Sequence, residues 1–373
     1  MKTAILHPWF LMKGGGERVV DVLADIYPDA DIYALFVDKS QLSNVLQNRR
    51  VTGSKLNGIP WSRKIHRQLM PLYPWAVESF DLRAYDLVIS SCGPAMMGAA
   101  VNQEAVHICY CHTPQRSWWD LYAEHQLQLP PVLRDLFVAG CTYNRIFEFC
   151  AMQRVDNLVA NSLFIQHRIQ KYFARQSVVI YPPVDTSRGY IDSDRGDYYL
   201  YLGRLEKQKR VDLLIQACNK LGRKLIVVGK GKEEAYLKSL AGPTVTFMGY
   251  APDGEIGPLF AKCRAFLFAA VEDFGIAPVE AQSYGIPVIA YGYGGSLETV
   301  RAGLADANQN TGVYFRSQTV EGVITAIEEF EAAESSFSPH QIQRHARRFD
   351  TSSFMEIFKR HVDQVIQSQL TGH

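Results

Sequence analysis

A chain of 373 residues and 42.1 kDa exceeds one ordinary core and fits two domains of about 150 residues each. Hydrophobic residues make up 47 % and charged residues 21 %, which excludes disordered and fibrous classes. Thirty-nine basic against thirty-eight acidic residues leave a formal charge of +1, so no nucleic-acid partner is expected. No apolar run nears the ~18 residues a membrane helix needs, and the N-terminus lacks the long apolar segment of a signal peptide. Seven cysteines, odd in number and scattered, point to reduced thiols. The expectation is a soluble, cytoplasmic, two-domain protein.

In chain order, apolar strands are expected at 3–7, 31–36, 87–91, 106–111, 158–161 and 178–181. Helical patterns lie at 17–27, 132–152 and 162–173. After a stretch rich in Pro, Asp and Gly at 181–197, the alternation restarts. Strands follow at 198–202, 224–228, 245–248, 265–269, 288–290 and 312–315, with helices starting at Arg210, Glu233, Gly254, Pro278, Ser296 and Val320. Continuous apolar strands mean parallel sheets buried on both faces. The fold class is α/β, with two Rossmann-like domains facing each other across a cleft. The boundaries fall at 1–182 and 183–351, with a C-terminal helix about 352–373 packing back on the first domain.

Charge is uneven within this frame. From Lys39 to Val77 there are seven Lys or Arg and no acid. Within it, 61–70 reads as a short amphipathic helix with Trp61, Ile65, Leu69 and Met70 near one side. Arg63, Lys64 and Arg67 beside Trp61 suit an anionic membrane surface; a solvated helix packed on its own domain explains the same pattern.

Ligands of parallel α/β sheets sit at the carboxyl ends of strands. There, Gly203-Arg204-Leu205 and Lys209 follow a strand and place two cations where they can flank a diphosphate; an exposed basic loop is the plainer reading. After the next such strand, Glu272-Asp273-Phe274-Gly275-Ile276-Ala277-Pro278-Val279-Glu280 combines a turn glycine with a helix start, an anion site. Glu280 is expected inside the first helical turn, suited to ribose hydroxyls, and Glu272 before the helix. Helix-dipole complementation and a surface acid would account for either alone.

Glu272 and Glu280, separated by seven residues around Phe274-Gly275-Ile276, resemble the E-x7-E motif of retaining glycosyltransferases of GT-B fold. With Gly203-Arg204-Leu205 and Lys209, the pattern is similar to glycosyltransferase family 4, and the likeness covers nearly the whole chain. His7-Pro8-Trp9 with Gly14-Gly15-Gly16-Glu17-Arg18 resembles its glycine-rich loop. Cys111-His112-Thr113-Pro114 with Trp118-Trp119-Asp120 is similar to a bacterial exopolysaccharide and O-chain subgroup. A cyanobacterial envelope-polysaccharide glucosyltransferase is a further resemblance, carried by no single motif.

The resemblance implies that Arg204 and Lys209 hold the diphosphate and Glu280 the ribose. Backbone at Phe274, Gly275, Ile276 and Val279 holds phosphate and sugar, and the base lies near Tyr250. Gly15 and Gly16 admit the phosphates. Glu272 and His112 face the sugar; a satisfied core histidine is the alternative for His112. It further implies retention by front-face displacement, no cofactor and no metal. UDP-glucose is the favoured co-substrate, with GDP-mannose second, and a lipid-linked oligosaccharide or polysaccharide is the acceptor. A sugar-nucleotide epimerase and a non-catalytic sugar-nucleotide-binding protein are the rival functions.

Three weaker signals are set aside. Asp29-Ala30-Asp31 and Asp192-Ser193-Asp194 match Asp-x-Asp away from any strand's carboxyl end. Cys109 and Cys111 beside His112 lack a second ligand pair for zinc. Gly229-Lys230-Gly231 lacks the third glycine of a dinucleotide fingerprint.

Overall fold

The computed structural model describes residues 1–12 and 14–371. The chain divides into two units, Met1–Pro183 with Phe354–His373, and Val184–Ser353. Each is built on one parallel sheet, so the chain holds two Rossmann-like domains.

In the first unit the strands are β1 (Thr3–Phe10), β2 (Asp31–Val37), β3 (Val51–Gly53), β4 (Leu87–Cys92), β5 (Val106–Cys111), β6 (Asn157–Ala160) and β7 (Val178–Val179). Their order is β3-β2-β1-β4-β5-β6-β7, with every pairing parallel. Strands β4 and β5 are buried at every residue, as continuous apolar runs require in a sheet covered on both faces. The short edge strand β3 was not expected; three residues inside a basic segment carry no readable period, and only pairing to Ile32–Ala34 makes them a strand.

The second unit has β8 (Tyr199–Leu202), β9 (Leu225–Val228), β10 (Val245–Gly249), β11 (Ala265–Phe268), β12 (Val288–Tyr291) and β13 (Gly312–Phe315). The order β10-β9-β8-β11-β12-β13 reverses direction between β8 and β11, as the first sheet does between β1 and β4. Those reversals are where loops leave the sheet in opposite senses and open a crevice at the strand ends.

The helix Thr351–Thr371 sends Phe354, Phe358 and Val362 into the core of the first unit, among Phe10, Leu23, Ile89 and Tyr110. The Phe354 and Phe358 rings stand 5.7 and 6.2 Å from that of Tyr110. The last two positions of the expected 352–373 helix lie outside the described residues.

The amphipathic helix expected at 61–70 does not form. Trp61 adopts a left-handed backbone with φ 61°, turns follow, and a 3-10 helix spans His66–Leu72. Leu69 and Met70 join a core cluster, whereas Trp61 is 81 % exposed and Ile65 lies open too. The apolar residues therefore divide between two environments instead of sharing one face. Part of the basic run is paired to acids just outside it, Arg50 with Asp31 and Arg63 with Asp38 at 3.9 and 3.8 Å. None of the seven cysteines is in a disulfide, and among the described residues no helix is long and apolar enough to cross a membrane.

Candidate active site

In the second unit the site forms where β8 and β11 end side by side. Strand β8 runs into Gly203-Arg204, and a 3-10 turn at Lys207–Lys209 precedes the helix Val211–Leu221. Arg204 is exposed, and its carbonyl accepts from the Tyr201 hydroxyl at 3.0 Å. Lys209 reaches across the sheet reversal to form an ion pair with the Glu272 carboxylate on the loop after β11. Both side chains are largely shielded, so this pair is less screened than a surface bridge.

Beyond Glu272, Gly275 turns the chain with φ 93° and caps the helix Ile276–Ser283. That conformation favours glycine, and the helix begins directly after it. Val279 and Pro278 are buried, and Phe274 packs on Phe349 with ring centres 5.4 Å apart. Glu280 is the fifth residue of this helix, so the expectation that it lies in the first turn is corrected. The helix starts at Ile276, two residues before the proline taken as its opening. The Glu280 carbonyl accepts from Ser283 at 2.7 Å.

Two glycines that sequence reasoning passed over hold this loop. The Gly295 amide donates to the Glu272 carbonyl at 2.9 Å. A Cβ on Gly295 would sit 2.4 Å from the Phe274 Cα, so only glycine admits this approach. The Gly292-Tyr293-Gly294-Gly295 run directly after β12 was the available signal. Tyr250 follows β10 and is largely exposed. Gly249 beside it accepts from the Gly229 amide at 2.7 Å, and the Leu205 amide donates to the Lys230 carbonyl at 3.0 Å. The Gly229-Lys230-Gly231 segment, rejected as a dinucleotide fingerprint, thus joins the loop of Arg204 to that of Tyr250.

In the first unit, the glycines expected as a loop are helical. Gly14 caps the helix Gly15–Ile26, and Gly15 and Gly16 form its first turn. A Cβ on Gly16 would lie 3.4 Å from the His7 ring and 3.8 Å from His112 Nε2. His112 Nε2 and Ser91 Oγ are 2.8 Å apart, Ser91 Oγ and His7 Nδ1 3.2 Å, and His7 Nε2 lies 3.8 Å from the Glu17 carboxylate. Burial, and His7 beside it, push the His112 pKa down to about 3. The ring is therefore neutral at ordinary pH, able to accept or donate a hydrogen bond but holding no charge. Ser91 was missed; the Ser90-Ser91 pair toward the carboxyl end of an apolar strand was its only signal.

The Trp118-Trp119-Asp120 motif supports this residue indirectly. Asp120 pairs with Arg168, which donates to the Thr113 hydroxyl at 2.6 Å and the Pro114 carbonyl at 3.1 Å, fixing the turn after His112. Trp119 Nε1 donates to Glu148 at 2.7 Å. Burial outweighs this and the other hydrogen bonds to Glu148, raising its pKa to about 7. Of the set-aside signals, Asp31 accepts from Tyr85 at 2.6 Å, and Asp192 accepts from the Asp194 amide at 2.9 Å. Among the described residues, no group of three or more His, Cys, Asp or Glu could hold a metal ion.

The chain is 25 % identical to the α-1,3/1,6-mannosyltransferase ALG2 of Saccharomyces cerevisiae, over 97 % of this chain and 84 % of that protein. It is 27 % identical to the ALG2 protein of Kluyveromyces lactis, covering 80 % of this chain and 71 % of the other. Among solved structures, it superposes on Anabaena Alr3699/HepE, determined with UDP and glucose, with a TM-score of 0.70. The two are 19 % identical, with 97 % of this chain and 99 % of that one covered. The fold is therefore GT-B. Residues 188–349 match the family of glycosyl transferases group 1. That match covers nearly all of the second unit, which carries Arg204, Lys209 and Glu272 at its strand ends.

Proposed function

We propose that the chain is a retaining hexosyltransferase, moving a hexose from a nucleotide-sugar to a growing, lipid-linked polysaccharide without a divalent metal. The observation that carries this reading is the Lys209–Glu272 pair spanning the ends of β8 and β11, next to the helix start at Ile276. A lysine at a sheet reversal, with a helix start on the neighbouring loop, is an arrangement that recognises a diphosphate.

In this reading Arg204 and Lys209 offset the charge that develops on the leaving diphosphate. Glu280 accepts from the ribose hydroxyls, Tyr250 lies against the base, and Glu272 and His112 serve the sugar. The acceptor oxygen bonds to the anomeric carbon from the face that the diphosphate leaves. The broken carbon–oxygen bond leaves its electron pair on the phosphate oxygen, which then takes the acceptor's proton. No carboxylate bonds to the sugar, in contrast to a retaining hydrolase with two carboxyls about 5 Å apart.

The sequence expectation puts UDP-glucose first. The curated relatives that span most of the chain are named mannosyltransferases, and this favours GDP-mannose. Thermal-shift screening with UDP-, GDP- and ADP-sugars, followed by transfer assays in EDTA, tests both. Stabilisation by GDP-mannose with transfer in chelator is expected; stabilisation by UDP-glucose alone restores the first donor. Loss of transfer in EDTA, regained with manganese, would falsify the metal-free scheme. The enzyme works in the cytoplasm at the inner face of the membrane, where Trp61, Arg63, Lys64 and Arg67 are exposed to meet anionic lipid. Salt-sensitive sedimentation with anionic vesicles, weakened by reversing the charge of Arg63, Lys64 and Arg67, is the expected result. Equal binding to neutral vesicles leaves this segment an ordinary surface.

A further inference from the structure

We infer that the helix Pro131–Arg154 carries a self-complementary seam through which two copies of this chain pair antiparallel. Val132, Leu136, Ala139, Tyr143, Ile146 and Cys150 are all exposed along it. Their spacing alternates between four and three residues, the 3.5-residue repeat of a helix that packs against another helix. The opposite face is already used: Cys141, Asn144, Glu148, Ala151 and Met152 are buried against the first unit.

The seam reads as its own complement when one copy is reversed about residue 141. Val132 then faces Cys150, Leu136 faces Ile146, and Ala139 faces Tyr143, a small residue opposite a large one. The seam borders a hollow: Ile146, Phe149 and Cys150 line an open depression with Trp119, Thr142 and Arg145, and the second copy's Val132 meets its edge at Cys150. Such a two-fold contact closes on itself and stops at a dimer.

Charge favours a second protein surface over a lipid one. Helices seated on anionic membranes border their apolar face with Lys and Arg. Here the flanking positions are Leu133, Asp135, Gly140, Thr142 and Phe149. The helix's own arginines are turned to their chain: Arg134 donates to the carbonyls of Leu129 and Leu127 at 3.1 and 3.3 Å, the Arg145 guanidinium lies 4.9 Å from the Tyr122 ring centre, and Arg154 pairs with Glu78 at 2.9 Å.

Sedimentation equilibrium of the full chain, with thiol cross-linking, tests the pairing. The wild type should reach twice the 42.1 kDa chain mass as concentration rises, and Tyr143→Glu should remain monomeric with the melting temperature of the dilute, monomeric wild type. Val132→Cys should cross-link to the Cys150 of a second copy through a short bismaleimide. The wild type should not, because its two Cys150 residues would stand about 27 Å apart and its other cysteines are buried. A wild type of single-chain mass at all concentrations, or no gain in cross-linking for Val132→Cys, overturns the proposal. Monomeric wild type that binds vesicles through this face, and loses them in Tyr143→Glu, overturns it in favour of lipid.

Discussion

Lys209 and Glu272 stand 63 positions apart in the chain, yet each is the other's main electrostatic partner at the sheet reversal. Removing the carboxylate frees the lysine for phosphate, so Glu272→Ala should lower turnover while nucleotide binding holds or tightens. Glu280→Ala should weaken nucleotide binding roughly 10- to 100-fold, the effect of one lost hydrogen-bond acceptor to a buried group. Isothermal titration with the nucleoside diphosphate separates the two; the opposite pattern means that their roles are exchanged. Four other groups set the acid limit of stability. Burial lowers the pKa of His107 and His345 to about 4 and of His112 to about 3, and raises that of Glu148 to about 7. Between about pH 4.5 and 6.5 the unfolded chain takes three histidine protons that the folded chain refuses, while folded Glu148 keeps one that the unfolded chain releases. Their sum is two protons, so stability should fall as pH drops through this window, by about 3 kcal/mol per pH unit at most. Above pH 6.5 the unfolded histidines still hold protons and Glu148 offsets only part of them, so the gain in stability should flatten toward pH 7. Glu148→Gln should remove that offset and steepen the pH dependence through the whole window, as denaturant titrations across pH would record.

At the scale of elements, the Glu272–Gly275 loop depends on the end of β12. Gly295→Ala should displace it, because the new methyl meets backbone at 2.4 Å, where no flexible side chain can give way. Activity should be lost and stability reduced by about 1–3 kcal/mol, the cost of overpacking; unchanged kinetics would show that the loop tolerates the shift. The parallel strands were legible in the sequence because burial on both faces leaves continuous apolar runs such as Leu87–Ser91 and Ala265–Ala269. The strand-end positions of Arg204, Lys209 and Glu272 followed from that pattern. What escaped was set by backbone and by distant pairing. Trp61 takes a left-handed turn where apolar spacing suggested a helix. Glu280 falls in a second turn because the helix begins before its proline. Gly295 and Ser91 gain their meaning from loops or strands far away in sequence, which local spacing does not display.

For the whole molecule, the two units differ in how the chain builds them. The second is continuous from Val184 to Ser353, whereas the first requires the segment from Phe354 onward. Cutting the chain after Ser353 removes Phe354, Phe358 and Val362 from a core that also holds Phe10, Ile89 and Tyr110. Each buried phenylalanine lost costs about 3–5 kcal/mol, which rivals the roughly 5–15 kcal/mol of a whole domain. The truncated chain should melt in two steps, with the first unit unfolded at moderate temperature and the second still able to bind nucleotide. A single unchanged transition would mean that the helix adds little. The same arrangement fixes an order of events at birth. Residues 1–183 leave the ribosome first but cannot close their core until 354–362 emerge, by which time 184–353 can already be folded. The unit made first is thus finished last, and a ribosome that stalls before the codon for Phe354 would release a chain with one sound domain and one exposed, aggregation-prone sheet.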